Sequence, residues 1–295
     1  MQNANTSELI AKLDMARAVL ANPHLHIDEY GSGLNAAYKL LCDAQMIAPD
    51  NHIITSEINK LRQLSDEENN QTPNIFTFIY KNREIKIIGS NEDHIFKTIC
   101  ATRNYYELSM LEYIATLNIK GNMIDVGANI GNHSIFLSLL DGVKNVFCYE
   151  PSKQIYDVLK KNIQLNNLTT KTIPIQAAVG DKSGIIGVQD SDPKNLGMTK
   201  VGGEKNKVPL CRLDDQHIND NITLIKIDVE GFEPQVLNGT LKLISKYKPE
   251  IFIEAATKPH KAVLDFILQQ LGYSVIAEFN ATPTYHYTYK PLRHI

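Results

Sequence analysis

Four carboxylates occupy comparable places in this sequence. Asp125, Glu150, Asp228 and Glu254 each stand at or near the end of a short apolar run. Carboxylates at the ends of buried strands are unfavourable unless they bind something, and the carboxyl ends of parallel strands are where open sheets hold ligands. The first run continues into Gly127-Ala128-Asn129-Ile130-Gly131, a sharp turn leading to a helix. Small residues there let backbone approach a ligand, and the helix start presents unpaired N–H groups. The glycines are spaced G-x-x-x-G, not the G-x-G-x-x-G that suits a dinucleotide pyrophosphate. Glu150, at the tip of the second strand, is placed to accept both hydroxyls of a ribose; alternatively it caps the helix that opens at Ser152. The block Lys226-Ile227-Asp228-Val229-Glu230-Gly231-Phe232-Glu233 repeats the logic further along. The four carboxylates should therefore face one acidic crevice, better suited to a cationic, ribose-bearing ligand than to a polyphosphate.

The elements that would position these residues follow from apolar periodicity. From residue 121 onward strands are expected at 122–126, 145–150, 172–178, 222–228, 250–254, 273–279 and 284–289. Helices lie between them, starting near Gly131, Ser152, Glu233 and Pro259, and short strands fill 184–213. That rhythm predicts an α/β fold with a doubly wound, mostly parallel seven-stranded sheet. The last two strands are too close for a crossover helix and should pair antiparallel. Upstream, 75–80 and 84–88 read as a β-hairpin, followed by helices near 93–101 and 106–117.

Residues 1–72 form an N-terminal helical extension, and 73–295 the domain carrying the carboxylates. Three stripes mark the extension: Leu9, Ile10, Leu13, Ala16, Ala18 and Leu20 behind capping candidates Asn5, Thr6 and Ser7; Leu34, Ala37, Tyr38, Leu41 and Ala44; and Ile54, Ile58, Leu61 and Leu64. The apolar-free stretch 65–72 reads as a linker. Such stripes need a partner surface, either the main domain or a second copy, so a homo-oligomer through these helices, or a role in acceptor recognition, is expected.

Composition narrows the classes. The 295 residues carry a net charge of −3, and the 30 basic residues are mostly Lys, which argues against a nucleic-acid binder. No apolar run approaches a membrane span, and the N-terminus lacks the pattern of a signal peptide, so a cytoplasmic location is expected. Cys42, Cys100, Cys148 and Cys211 stand far apart and read as free thiols; His24 and His26 have no ligand-like neighbours. The triplet Asn132-His133-Ser134 and others like it are read as chance, not as glycosylation sites.

The blocks MIDVGANIGNHSIFLSLL, VFCYEPS, IQAAVGDKSG, LIKIDVEGFEPQVLNG and KPEIFIEA, in that order across residues 105–280, resemble the successive motifs of the FkbM family of S-adenosylmethionine-dependent methyltransferases. IDVEGFE is the most specific of them, because other class I methyltransferases do not share it; residues 1–72 lie outside the resemblance. It implies a Rossmann-like class I fold with S-adenosyl-L-methionine as cofactor. Gly127, Ala128, Asn129 and Gly131 would line its methionine and ribose portion, and Asp125 would orient that loop or face the ammonium group. Glu150 would take the ribose hydroxyls and Pro151 would shape the adenine wall. Gln176 and Ala177 would border the adenine edge, and Asp228 would lie near the methyl donor. Asn195-Leu196-Gly197 and Tyr106-Glu107 would border the site, the latter pair alternatively being only a turn and a cap.

The resemblance further implies O-methylation of a sugar, glycan or natural-product hydroxyl. Such an acceptor calls for a general base, with Glu230 or Glu254 the first candidates beside Asp228 and His133. No ligand spacing demands a metal, and none is expected. Two rivals remain: a nicotinamide-dependent oxidoreductase on a similar sheet, and a non-catalytic assembly module with this fold.

Overall fold

The computed structural model describes residues 2–22, 33–48, 51–58, 74–189, 200–203, 206–216, 218 and 221–290. The chain divides into two compact units, Met1–Pro73 and Asn74–Ile295.

In the first unit, α1 (Gln2–Ala21), α2 (Gly33–Ile47) and α3 (52–58) share a small core. Ala16 and Val19, then Ala36, Ala37, Leu40, Leu41 and Ala44, then Ile54 and Ile58 are buried together, with Leu9 and Leu13 packed at the edge. The described parts of the three stripes therefore pack on one another. The α1 stripe is also rotated from the expected one: Val19 is buried while Ile10 is 53% exposed and Ala18 faces outward. Because α1 begins at Gln2, Asn5, Thr6 and Ser7 lie inside it and do not cap it. The linker 65–72, His24, His26, Leu61 and Leu64 fall outside the described residues.

The second unit is built on a seven-stranded sheet. Its order is β13 (Tyr273–Phe279), β14 (Thr284–Tyr289), β12 (Glu250–Glu254), β11 (Ile222–Ile227), β3 (Gly121–Val126), β4 (Val143–Tyr149) and β5 (Thr172–Ile175). The five strands from β12 to β5 are parallel, and β14 enters antiparallel between β12 and β13. The central strands are apolar on both faces, as a sheet covered by helices requires. Met123, Leu224 and Phe252 enter one core. Ile124, Ile225, Ile251 and Ile253 enter the other. Period-two alternation then dictates where the charges go. Asp125 follows Met123, Lys226 follows Leu224, Glu254 follows Phe252, and Glu150 follows Cys148, so all four share one face at the carboxyl end of the sheet. Four helices flank the central strands: α6 (Asn132–Ser138), α7 (Lys153–Leu165), α9 (Leu241–Tyr247) and α10 (Lys258–Gln270).

Two expected elements are broken. The strand expected at 172–178 stops at Ile175, where the Ala177 N–H turns back onto the Ile175 carbonyl. Ala178–Val179 then forms β6 of a separate three-stranded sheet with β7 (Gly184–Ile186) and β10 (Val208–Cys211). A two-stranded pair, β8 (Val188–Gln189) with β9 (Lys200–Val201), lies beside it in sequence. The helix expected from Glu233 divides into α8 (Glu233–Asn238) and α9, because the chain at Gly239 passes directly against the Gly180 carbonyl, where a Cβ would not fit.

The hairpin β1 (Asn74–Tyr80) and β2 (Arg83–Gly89) does not join the main sheet. Its outer edge is satisfied by side chains. Asn162 accepts the Ile88 N–H at 2.6 Å and donates to the Ile88 carbonyl at 3.0 Å. Asn166 does the same for Lys86 at 3.0 and 2.6 Å. Residues i and i+4 of a helix thus match i and i+2 of a strand, and two amides imitate a further strand. Asn162 also donates to the Ile130 carbonyl at 2.8 Å, tying the hairpin to the turn after β3. Between hairpin and sheet run α4 (His94–Thr102) and α5 (Leu108–Thr116).

Candidate active site

The turn after β3 is shaped by what it must pass. Gly127 has φ +79°, and a Cβ there would run into the Asp228 carbonyl oxygen. The glycine is therefore needed for the approach of another backbone, that of the chain leaving β11, whose Asp228 N–H donates to the Val126 carbonyl at 3.0 Å. Gly131, at φ +93°, leaves room for Leu159, whose Cδ1 would lie 2.7 Å from a Cβ. The N–H groups of Gly127 and Ala128 both donate to the Tyr149 carbonyl. Those contacts fix the turn to the end of β4, where Glu150 follows.

Glu150 is 4% exposed. Its Oε2 accepts the Asn129 N–H at 3.0 Å and its Oε1 the Ser152 N–H at 2.9 Å. It is thus both a helix cap and a brace for the turn, and each oxygen keeps a second lone pair. Burial pushes its carboxyl up to about 7; the two N–H donors oppose the shift, while Asp125 and Asp228 add to it.

Asp125 takes a place other than the expected one. It is fully buried behind the cavity, accepts from Ser134 Oγ at 2.6 Å and lies 3.6 Å from Lys226 Nζ. The register of β3 and β11 sets Asp125 opposite Lys226. The ammonium, itself buried, reaches on to Asp228 Oδ2 at 3.2 Å. Burial would lower the Lys226 pKa, but Asp228, Asp125 and Glu107 outweigh it and hold the ammonium firmly charged. Burial likewise acts to raise Asp228, and Lys226 together with a hydrogen bond from Glu254 overrides it, keeping Asp228 ionised. Glu254 goes the other way: burial, then the neighbouring Asp228 and Glu230, push it well above the usual range, so it carries a proton at neutral pH. One lysine and one proton therefore offset part of the negative charge expected of the crevice.

A cavity of about 480 Å³ opens above this group. Of the residues singled out in the sequence, Gly127, Ala128, Asn129, Glu150, Pro151, Asp228, Glu230 and Glu254 line it. Asp125, Gly131, Gln176 and Ala177 do not, and Asn195, Leu196 and Gly197 lie outside the described residues. Tyr106, Glu107 and His133 also line it. Asn132 accepts the Tyr106 N–H and donates to the Tyr106 carbonyl, both at 3.1 Å, which clamps the 106–107 turn onto the start of α6. Glu107, in the left-handed region at φ +57°, lies 3.1 Å from His133 Nε2. Glu230, at φ +55°, sits in a turn beyond the end of β11. Glu233 holds that turn by accepting the N–H groups of Val229 and Gly231 at 3.0 and 3.2 Å.

Lys226 is the residue that sequence reasoning passed over. Its signal was available: one cation inside an otherwise apolar strand needs an anionic partner. Asp228, Glu230 and Glu254 present carboxylate oxygens within 4.8 Å of one another, a set able to hold a cation. Asp228 already faces Lys226, and Glu254 would have to release its proton first.

Residues 125–275 match the family model described as the methyltransferase FkbM domain. Methyltransferase sdnD of Sordaria araneosa is 24% identical over 55% of this chain and 77% of its own length. Hexuronic acid methyltransferase AglP of Haloferax volcanii is 30% identical over 39% of this chain, and the match spans 48% of that protein. Among solved structures, the methyltransferase FkbM of Methylobacillus flagellatus KT is 21% identical with a TM-score of 0.45, over 58% of this chain and 44% of that one. The matched part thus spans less than half of the last two proteins.

Proposed function

The chain belongs to the FkbM methyltransferase family, and we propose that it carries a methyl group from S-adenosylmethionine to a hydroxyl oxygen of a sugar, glycan or natural-product acceptor. The observation that carries this reading is Glu150. It is a buried carboxylate beside a tight turn, with one unspent lone pair on each oxygen, facing a cavity of about 480 Å³. Two adjacent ribose hydroxyls match that acceptor pair. A nicotinamide cofactor would offer the same hydroxyls, but its pyrophosphate finds no G-x-G-x-x-G turn here. A sugar acceptor is suggested by the similarity to AglP, a hexuronic acid methyltransferase, and the choice of a hydroxyl on it rests on the base described next.

S-adenosylmethionine, when bound, supplies an electrophilic methyl carbon on a sulfonium and leaves as a thioether. The protein's task is then alignment and proton removal, and alignment alone supplies roughly 7–11 kcal/mol of barrier reduction. Glu254 already holds a proton and cannot act as the base. Asp228 is bound to Lys226 and is a weak one. Glu230 acts on Glu254 as a negative charge and lines the same cavity, so it takes the acceptor proton. Tyr106, Glu107 and His133 line the cavity as well, with the Tyr106 backbone held by Asn132.

The test is thermal stabilisation by S-adenosylhomocysteine, with NAD as the comparison. Stabilisation by the former and its loss in Glu150→Gln support the reading; stabilisation by NAD alone overturns it. Incubation with labelled cofactor and cell-derived glycan or lipid-sugar fractions, followed by mass spectrometry, then identifies the acceptor. Glu230→Gln should abolish turnover while leaving S-adenosylhomocysteine binding intact.

A further inference from the structure

The turn that carries Glu230 is held from outside the cavity. Glu230 and Gly231 follow one another in the left-handed region, at φ +55° and +98°. A glycine adopts that backbone readily, but a glutamate stays there only where its surroundings hold it. The restraint is Glu233, the first residue of α8 and 1% exposed. Its Oε1 accepts the N–H groups of Val229 and Gly231, one on each side of Glu230. A single oxygen thus fixes the backbone from which the Glu230 side chain leaves.

The other oxygen of Glu233 needs a partner too. Among the described residues neither the buried Glu233 Oε2 nor the buried His260 Nε2 has a hydrogen bond of its own, and the two atoms lie 3.2 Å apart. A buried carboxylate oxygen and a buried ring nitrogen left so are unfavourable. A proton on Nε2 answers both at once, as a hydrogen bond to a charged acceptor. His260 stands in the first turn of α10, where its N–H donates to the Thr257 Oγ1 cap at 3.3 Å. Glu233 is thus braced from a second helix, by a residue that does not line the methyl-transfer cavity.

We propose that His260 is a positioning residue for methyl transfer: through Glu233 it fixes the turn that presents Glu230, an inference that rests on Glu230 being the base. Without the imidazole, Glu233 Oε2 is left unpaired, and the carboxylate can rotate about its terminal torsion and give up its hold on Val229 and Gly231. The strained turn then relaxes and carries Glu230 away from the acceptor. A misplacement of that kind lowers the rate even when its origin is remote from the chemistry. Cofactor binding is spared, because the turn after β3 and Glu150 are held by bonds of their own, to the Tyr149 carbonyl and from the Asn129 and Ser152 N–H groups.

The experiment compares the full chain with His260→Leu, which removes the donor, and His260→Gln, which keeps an N–H donor at similar reach. Amide hydrogen exchange followed by NMR should show the Val229 and Gly231 N–H groups exchanging roughly tenfold faster in His260→Leu, with those of β12 and the later turns of α10 unchanged, and a return toward the parent in His260→Gln. Transfer of labelled methyl to the glycan or lipid-sugar fraction should fall by roughly tenfold or more in His260→Leu and recover in His260→Gln, while S-adenosylhomocysteine binds both variants as it binds the parent. The exchange measurement needs no methyl transfer, so it reads the link from His260 to the turn even if Glu230→Gln retains turnover and the base is another group. Unchanged exchange at Val229 and Gly231 in His260→Leu overturns the proposal. So does an equal rise across α8, α9 and α10, which marks packing support alone, a His260→Gln variant as impaired as His260→Leu, or transfer at the parent's rate in His260→Leu.

Discussion

Replacing Lys226 with Met tests the charge arrangement beneath the active-site cavity. The change keeps the length and apolar stem of the side chain and deletes only the ammonium. In the parent, that ammonium sits 3.6 Å from the fully buried Asp125 and 3.2 Å from Asp228, whose side chain is 34% exposed. Asp228 can turn toward the cavity; Asp125 has nowhere to go. Removing one partner of a buried pair costs about 3–5 kcal/mol. For a domain of this size 1 kcal/mol corresponds to about 2–4 °C, so a loss near the lower bound lowers the melting temperature by roughly 6–12 °C. The sign with pH gives a sharper check. The folded-state pKa of Lys226 is raised, so its contribution is fully present below the pKa of an unfolded lysine and is lost only as pH rises through the higher folded value. The parent should therefore gain or lose little from this residue between about pH 5 and about pH 8. In the variant the two carboxylates can be neutralised only by protonation, so stability returns as pH falls. Scanning calorimetry at those two pH values, with hydrogen exchange of peptides spanning β3 and β11, reads both effects. A deficit of the same size at both pH values, or one under about 2 °C at the higher, would refute the reasoning.

Three further outcomes follow from particular contacts. Gly127→Ala puts a Cβ into the Asp228 carbonyl at a left-handed backbone position, so it should lower the melting temperature and weaken S-adenosylhomocysteine by roughly tenfold or more, read by calorimetry. Because burial holds the Glu150 carboxyl near 7, affinity for S-adenosylhomocysteine should climb between about pH 6 and about pH 8 with release of a proton, measured in buffers of different ionisation enthalpy; a flat profile contradicts the ribose role. For folding the sign is reversed: the stability that Glu150 contributes is fully present below its unfolded value of 4.5 and is lost as pH rises through about 7, about 3 kcal/mol in all. Asn162→Ala strands the Ile88 N–H and the Ile88 and Ile130 carbonyls, and should cost about 3 kcal/mol by urea denaturation, whereas the half-buried Asn166 should cost less.

What could be read from residues alone was the face on which each charge lies; what could not was its neighbour. Alternation along β3, β4, β11 and β12 places Asp125, Glu150, Lys226 and Glu254 on one side of the sheet, and each strand shows this within its own few residues. The pairing of Asp125 with Lys226 depends on the register between β3 and β11, segments a hundred residues apart, and no local pattern carries that. The consequence is chemical. Counted along the sequence, the carboxylates make an anionic pocket; placed in register, they share one ammonium and one proton. The N-terminal stripes have the same limit, since a helix shows that it has an apolar side but not which helix will cover it. Asn162 and Asn166 looked like ordinary polar positions on α7 because their partner is a strand edge more than seventy residues upstream. Gly127 shows how the two levels meet. Its spacing before the helix suggested room for a ligand, and the atom it actually makes room for is the backbone of Asp228. That same close approach is what draws Asp228, and with it Lys226 and Glu230, to the edge of the turn where Glu150 waits, so the glycine serves the ligand by first admitting the protein.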